Sequence, residues 1–284
     1  MKFVGACEYD GSSFSGFQSQ KNAQSVQGTL EKAISSVGRL TNTINYSGRT
    51  DAGVHSLGQV FDFESVDSRT LEQWLRGINS ALPDSVSVTS LQEAPKDFHS
   101  RFDAIKRTYA YIIYTGSTRP IFLKDYVFWE KNNIDIDLMQ NESNFLIGTH
   151  NFSSFRGSKC TSNNPVRTID DIEISKKEDF IVVTITANAY LYNMVRIIVG
   201  TLLERSTGRL QKSMQDILES ENRINAGKTA QAQGLFFLGA EYKNFSLIKP
   251  TPSNSFLSFI KLLTTEITCM ILSESKITKF FFPF

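Results

Sequence analysis

The chain has 284 residues, 40% hydrophobic and 21% charged, which excludes a disordered polymer and leaves room for one large domain or two ordinary ones. Lys and Arg total 30 against 29 Asp and Glu, a net charge of +1, so a polyanion would have to be met by a local basic surface. Cys7, Cys160 and Cys269 are odd in number and far apart, with no C-x-x-C pair, which argues against a disulfide scaffold or a structural zinc site and for a reducing, cytoplasmic compartment.

The opening "MKFVGACEYDG" lacks the apolar run of a signal peptide, and no stretch before residue 250 is long enough to span a membrane. "KFVGACEY" reads as a first strand, followed by the Gly/Ser-rich loop "DGSSFSG". Val26, Leu30, Ala33, Ile34 and Val37 recur at helical spacing behind Ser25, a candidate N-cap. "TINYS" and "QVFDFES" alternate like strands, and between them lies a loop over residues 47–57. A second helix places Leu71, Trp74, Leu75, Ile78 and Leu82 on one stripe and stops at Pro83; "VSVTSL" then supplies a short strand.

The second half repeats this order. "TYAYIIYT" (residues 108–115) alternates, and residues 138–146 have helical spacing. "VRTIDDIEIS" and "FIVVTITANAY" form a hairpin about the charged turn "KKED". "NMVRIIVGTLLERSTG" is a strongly apolar helix closed by Gly208, and "GLFFLGAEY" is a last strand. The expected fold is α+β: two similar halves with mainly antiparallel sheets packed by helices, and a cleft between them. The boundaries are an N-terminal domain over 1–105, a C-terminal domain over 106–249 and a tail over 250–284. The tail opens on the linker "PTPSNS" and continues with Phe256, Phe259, Ile260, Leu263 and Ile267 at helical spacing, where Lys261 and Glu266 argue against a membrane anchor.

The chemistry concentrates in "SGRTDAGVHSLGQV", residues 47–60. Gly48 and Gly53 allow a tight excursion that projects the residues between them off a sheet edge. Asp51 is the candidate reactive group, because a carboxylate beside a guanidinium such as that of Arg49 suits a nucleophile or base rather than a general acid. His55 can assist chemistry, cap a turn or fill the underside of the loop. A metal reading is weak, since Asp51 and His55 supply only two ligands. A two-carboxylate glycosidase would need a second acid, and Asp62, Glu64 and Asp103 cannot be ranked for it. Two basic clusters, Lys96, Arg101, Lys106 and Arg107, and Arg156, Lys159 and Arg167, are either solvated faces or parts of an anion-binding surface. Arg196, inside "YNMVRIIVGTLL", is costly to bury unpaired and calls for a carboxylate partner.

These stretches resemble the TruA family of tRNA pseudouridine synthases. The motif "GRTDAGVH" is similar to that family's signature, and "EYDGSSFSGFQSQ", "SVQGTLEKAI", "FHSRFDAIKRTYAYIIY", "NFSSFR", "ANAYLYNMVRIIVG" and "AQGLFF" match further blocks in order, over residues 1 to about 245. The resemblance implies that Asp51 is the catalytic aspartate and Arg49 the basic residue beside it. It further implies that Tyr109 packs against the target base, Arg196 pairs with the catalytic carboxylate, and Leu235 lines an apolar pocket. "GFQ" stands where G-W-Q is frequent, and Tyr192 and Asn193 stand where some relatives carry histidines.

The implied activity is isomerisation of uridine to pseudouridine in the tRNA anticodon stem-loop at positions 38, 39 and 40, by a homodimer, without cofactor or metal. One carboxylate suffices for it, and the uridine must leave its stack to be reached. A non-catalytic RNA-binding protein on the same fold and a nucleoside hydrolase are the competing readings, and Asp51, Tyr109 and Arg196 together favour the isomerase.

Overall fold

A computed structural model describes residues 1–243; the expected tail over 250–284 lies outside the described residues. Ten strands form one sheet in the order β4-β1-β3-β10-β5-β9-β8-β7, with β2 paired to β3 and β6 to β5. In the first half these are β1 (Lys2–Tyr9), β2 (Asn45–Tyr46), β3 (His55–Glu64) and β4 (Val86–Glu93). The second half supplies β5 (Ala104–Tyr114), β6 (Phe128–Trp129), β7 (Gly148–Asn151), β8 (Val166–Lys177), β9 (Phe180–Ala187) and β10 (Leu235–Tyr242). Nearly all pairings are antiparallel; the exceptions are β5–β6 and the contact of β10 with β3. The sheet of each half therefore runs into the other. The last strand is the join, inserted between β3 and β5, with Phe236 opposite both His55 and Ala110.

The two helices of the first half form where the apolar spacing predicts them. Helix α1 (Val26–Val37) starts at Ser25, whose hydroxyl accepts from the Gly28 amide, and it buries Leu30 and Ile34. Helix α2 (Leu71–Ala81) opens with a capping box between Thr70 and Gln73 and ends ahead of Pro83. Their apolar faces meet Phe3, Phe61 and Phe63, with Trp74 at the centre of that core. Helix α3 (Ile136–Asn144) begins two residues earlier than its spacing suggests, because Asp135 caps the Leu138 amide.

Helix α4 (Met194–Ser206) is buried along most of its length against the second half of the sheet. Beyond its last turn Gly208 takes a left-handed φ of +73° and donates to the Arg205 carbonyl. The alternation of β5 is visible in its packing. Tyr109, Tyr111 and Ile113 join the core that includes α4, while Ala110 and Ile112 join a second cluster with Val182 and Phe236. Helix α5 (Met214–Glu219) and the short strands β6 and β7 carry too few residues for a clear period, and the sequence reading lacked them.

Candidate active site

The 47–57 loop is held from three directions. On one side the Gln59 side chain, fully buried on β3, donates to the Gly48 carbonyl at 2.6 Å, while its oxygen accepts from Ser47 Oγ at 2.7 Å and the Gly48 amide at 3.2 Å. Thr50 is drawn inward by a 2.7 Å hydrogen bond with the Tyr9 hydroxyl, and its carbonyl accepts from the Phe17 amide at 3.1 Å. That approach needs Gly16, whose φ is +103° and where a Cβ would stand 2.9 Å from the Thr50 carbonyl. The turn then closes through the Val54 amide to the Asp51 carbonyl at 3.2 Å, with Gly53 at φ +75°. Each backbone group so fixed removes a way for Asp51 to move.

Asp51 points to the N-terminal end of α4. Arg196 Nη1 donates to Asp51 Oδ2 at 3.1 Å and to Asn193 Oδ1 at 3.3 Å, and Arg196 Nε donates to the Ala230 carbonyl at 2.8 Å. The Ala230 amide in turn donates to the Arg196 carbonyl at 3.0 Å, so the guanidinium is fixed before it meets the carboxylate. Asp51 lines the cavity, and its Oδ1 carries no hydrogen bond among the described residues, which leaves that oxygen available as an acceptor. The sequence expectation of a carboxylate partner for Arg196 is met.

Arg49 behaves differently from the local expectation. It is exposed at the mouth, and among the described residues no ion pair joins it to Asp51. With Thr50 tied inward and Asp51 turned to α4, Arg49 contributes positive charge to the entrance.

Tyr109 forms one wall, its ring held edge-on to Tyr190 at 5.0 Å and tilted against Phe237 at 4.9 Å. Burial pushes its phenol well above the ordinary range; Arg107 opposes this and Asp51 adds to it, so the hydroxyl stays protonated. Its oxygen lies 3.4 Å from where a Cβ on Gly48 would be, which puts the ring directly beneath the loop. Leu235, buried at the start of β10, completes the apolar side.

Arg107 fastens the surrounding segments together. Its guanidinium donates to the carbonyls of Ser47, Ala104, Asn188 and Arg101 at 2.9, 3.1, 2.9 and 2.6 Å. A half-buried cation with four carbonyl acceptors has its donors well used, and it ties the loop to residues from both halves.

These groups line a cavity of about 560 Å³, a size that admits a small-molecule-sized group. Arg49, Arg101, Arg107, Lys159, Arg167 and Arg196 contribute to its lining, and Asp51 is the carboxylate among them. The basic clusters noted in the sequence therefore divide. Arg101, Arg107, Lys159 and Arg167 reach the cavity, whereas Lys106 pairs with Asp170 at 3.3 Å and Arg156 donates to the carbonyls of Cys160 and Ser162.

Sequence reasoning missed Gln59 and the carbonyl-clamping role of Arg107. The only signal for either was a polar or charged residue placed in an otherwise apolar strand. His55 is not in the cavity. It is buried on the far side of the loop, where Nδ1 accepts from the Gly11 amide at 3.1 Å and Nε2 contacts the Asp125 carbonyl at 2.8 Å.

A carboxylate held by an arginine, beside a buried tyrosine and among further cationic side chains, suits chemistry on a polyanionic substrate. The chain belongs to the tRNA pseudouridine synthase family, whose model matches residues 6–103 and 144–243. It is 40% identical over 240 residues to tRNA pseudouridine synthase A of Francisella tularensis, covering 84% of this chain and 93% of that protein. The protein of the same name from Hydrogenovibrio crunogenus is 40% identical over 238 residues, covering 83% and 90%. Among solved structures, that of a Cbf5-Nop10-Gar1 complex is similar at a TM-score of 0.40 and 9% identity, covering 86% of this chain and about half, 50%, of that one.

Proposed function

We propose that this enzyme isomerises uridine to pseudouridine at positions 38, 39 and 40 of the tRNA anticodon stem-loop, with Asp51 as the catalytic carboxylate. The observation that carries the assignment of Asp51 is its isolation: among the described residues it is the one acid lining a cavity that six cationic side chains also line. The reaction breaks the N1–C1′ bond, turns the base, joins C5 to C1′ and moves the C5 proton to N1, so atoms and electrons balance within the nucleoside. Asp51 Oδ1 serves either by attacking C1′ or by removing the C2′ proton, and both routes need one ionised carboxylate with a free oxygen.

The remaining side chains supply the setting. Arg196 holds Oδ2 and so fixes the direction of the reactive oxygen. Tyr109 offers a ring face to the extruded base, Leu235 an apolar contact, and Arg49 a cation at the mouth for phosphate or vacated stack. The cation-rich lining gives a chain of net charge +1 a local footprint for RNA.

The residues of the cavity come from both the 1–105 and the 106–249 segments, which supports reading these as two functional halves with the site between them. We place the enzyme in the cytoplasm as a homodimer. The exposed pair Ile121 and Phe122 on the second half supports a subunit contact, since a phenylalanine 95% exposed gains nothing in a monomer. Pseudouridine mapping of tRNA incubated with the wild type and with Asp51→Ala tests the assignment. New pseudouridine at 38–40 with the wild type alone is the expected result, and activity retained by Asp51→Ala removes the mechanism.

A further inference from the structure

Phe102 is the next residue after Arg101, which lines the catalytic cavity, and it is 73% exposed. The turn that presents it is tied down by hydrogen bonds at several points. The buried Asp62 carboxylate accepts from the Ser100 amide at 2.8 Å, and the Tyr242 hydroxyl donates to the Ser100 carbonyl at 2.6 Å. The His99 amide donates to Asp103 Oδ2 at 2.7 Å, the Arg101 amide to His99 Nδ1 at 3.1 Å, and Arg107 clamps the Arg101 carbonyl. A large apolar ring held in water on a pinned turn does not stabilise the fold.

Its immediate neighbours are of one chemical kind. The His99 ring lies 4.2 Å from that of Phe102, tilted by 48°, and the Arg101 guanidinium stands 5.6 Å from the Phe102 centroid. An exposed aromatic face flanked by imidazole and guanidinium, at the edge of a cation-lined cavity, is chemistry that stacks unpaired nucleobases. We infer that His99, Arg101 and Phe102 form a second base-binding subsite, at the cavity rim, which stacks an unpaired nucleobase adjacent in the RNA to the uridine that enters the cavity. Arg101 belongs to both places and links them. Charge favours RNA over a second copy of the chain as the occupant, because the six cations lining the cavity continue onto this corner through Arg101.

The inference rests on tRNA being the substrate, and the assay separates the two. Pseudouridine formation by the wild type reads the function; the ratio of Phe102→Ala to wild type reads the subsite. Phe102→Ala is expected to raise Kd and KM for tRNA about tenfold with kcat within about twofold. Phe102→Trp, which keeps a stacking face, is expected to restore both. Wild-type affinity in Phe102→Ala would overturn the subsite while leaving the function standing. So would an equal defect in Phe102→Trp, or a change in sedimentation coefficient in Phe102→Ala, which would make the ring a contact between subunits. An inactive wild type would overturn the function itself, and the subsite with it.

Discussion

Arg196 Nη1 lies 3.1 Å from Asp51 Oδ2 across 145 positions of sequence, joining the first residue after a buried threonine to the opening turn of α4. Neither partner is deeply sealed, with side chains 17% and 22% exposed, so the contact can be reached by substrate. Its geometry makes it a positioning contact as well as an electrostatic one. The guanidinium is pinned by Ala230 and Asn193, and the carboxylate is aimed by what is pinned.

Arg196→Lys therefore separates charge from geometry. An ammonium keeps the positive charge but cannot bond Ala230, Asn193 and Asp51 with one rigid fork. We expect kcat to fall by about a hundredfold or more, the scale of losing a positioned catalytic contact, with KM for tRNA changed much less. Arg196→Ala should be worse, since it also leaves the carboxylate without its partner. Steady-state kinetics on a tRNA transcript decide the matter, and a lysine variant with wild-type kcat would show that charge alone suffices.

Gln59 offers a test of loop support away from the reacting atoms. Gln59→Leu preserves approximate volume but deprives Ser47 Oγ and both polar groups of Gly48 of their partner. A fully buried group so orphaned costs about 1–3 kcal/mol, and the partly buried Gly48 groups less. The expected outcome is a lower urea midpoint together with a kcat loss larger than that of a control substitution of comparable stability cost, such as Leu30→Ala in the α1–α2 core. Equal kcat in the two variants at matched stability would mean that the loop does not depend on this brace.

How much of this was legible in sequence follows from the range over which each signal acts. Helices α1, α2 and α4 carry their own period and end signals, so Ser25, Pro83 and Gly208 mark boundaries locally, while the Thr70 cap is seen only in the structure. The alternation of β5 correctly divides Tyr109 and Tyr111 from Ala110 and Ile112. Loop chemistry points to Asp51 and burial cost to Arg196, the motif blocks add Tyr109 and Leu235, and the structure gathers the four into one cavity together with Arg49. The joining of two sheets by β10 has no local signature, because strand pairing is decided between residues as far apart as Ser56 and Phe237, 181 positions. The displacement of Arg49 from Asp51 was hidden for a related reason. It depends on Tyr9 holding Thr50, a contact 41 positions away.

Cys160 lines the cavity, and its thiol is a probe of it. Partial burial pushes its pKa up, but hydrogen bonds from the Tyr192 and Ser162 backbone and the nearby Arg156 guanidinium outweigh that and lower it below the ordinary thiol range. Cys7 is the opposite case, fully buried with its thiol pushed far up. A lowered pKa means more thiolate at neutral pH, and thiolate is the species that alkylates. Iodoacetamide at pH 7 should therefore modify Cys160 well before Cys7, and bound tRNA should slow it. Peptide mass spectrometry reads each cysteine separately; equal rates for the two, or no protection by tRNA, would contradict the arrangement.

His55 sets a pH dependence of stability apart from catalysis. Burial lowers its pKa, partly opposed by Asp10, whose Oδ1 is 3.2 Å from Nδ1, and by the Asp125 carbonyl. In the neutral form Nε2–H donates to Asp125 and Nδ1 accepts from the Gly11 amide, so both ring nitrogens are used. The folded pKa is thus below the unfolded value of about 6.5, and the unfolded chain binds the proton more readily. The contribution of His55 is fully present above about pH 7 and is lost as pH falls through 6.5 toward the folded value. Asp10, also lowered because hydrogen bonds from Ser12 and Tyr126 and the neighbouring His55 outweigh its burial, loses its contribution separately, below about pH 4. Urea midpoints should fall between pH 7.5 and 5.5 in the wild type. In His55→Gln the midpoint should start lower, because the packing against Phe236 at 4.7 Å is lost, but change less over that interval. A variant whose midpoint declines as steeply as the wild type would place the titrating group elsewhere.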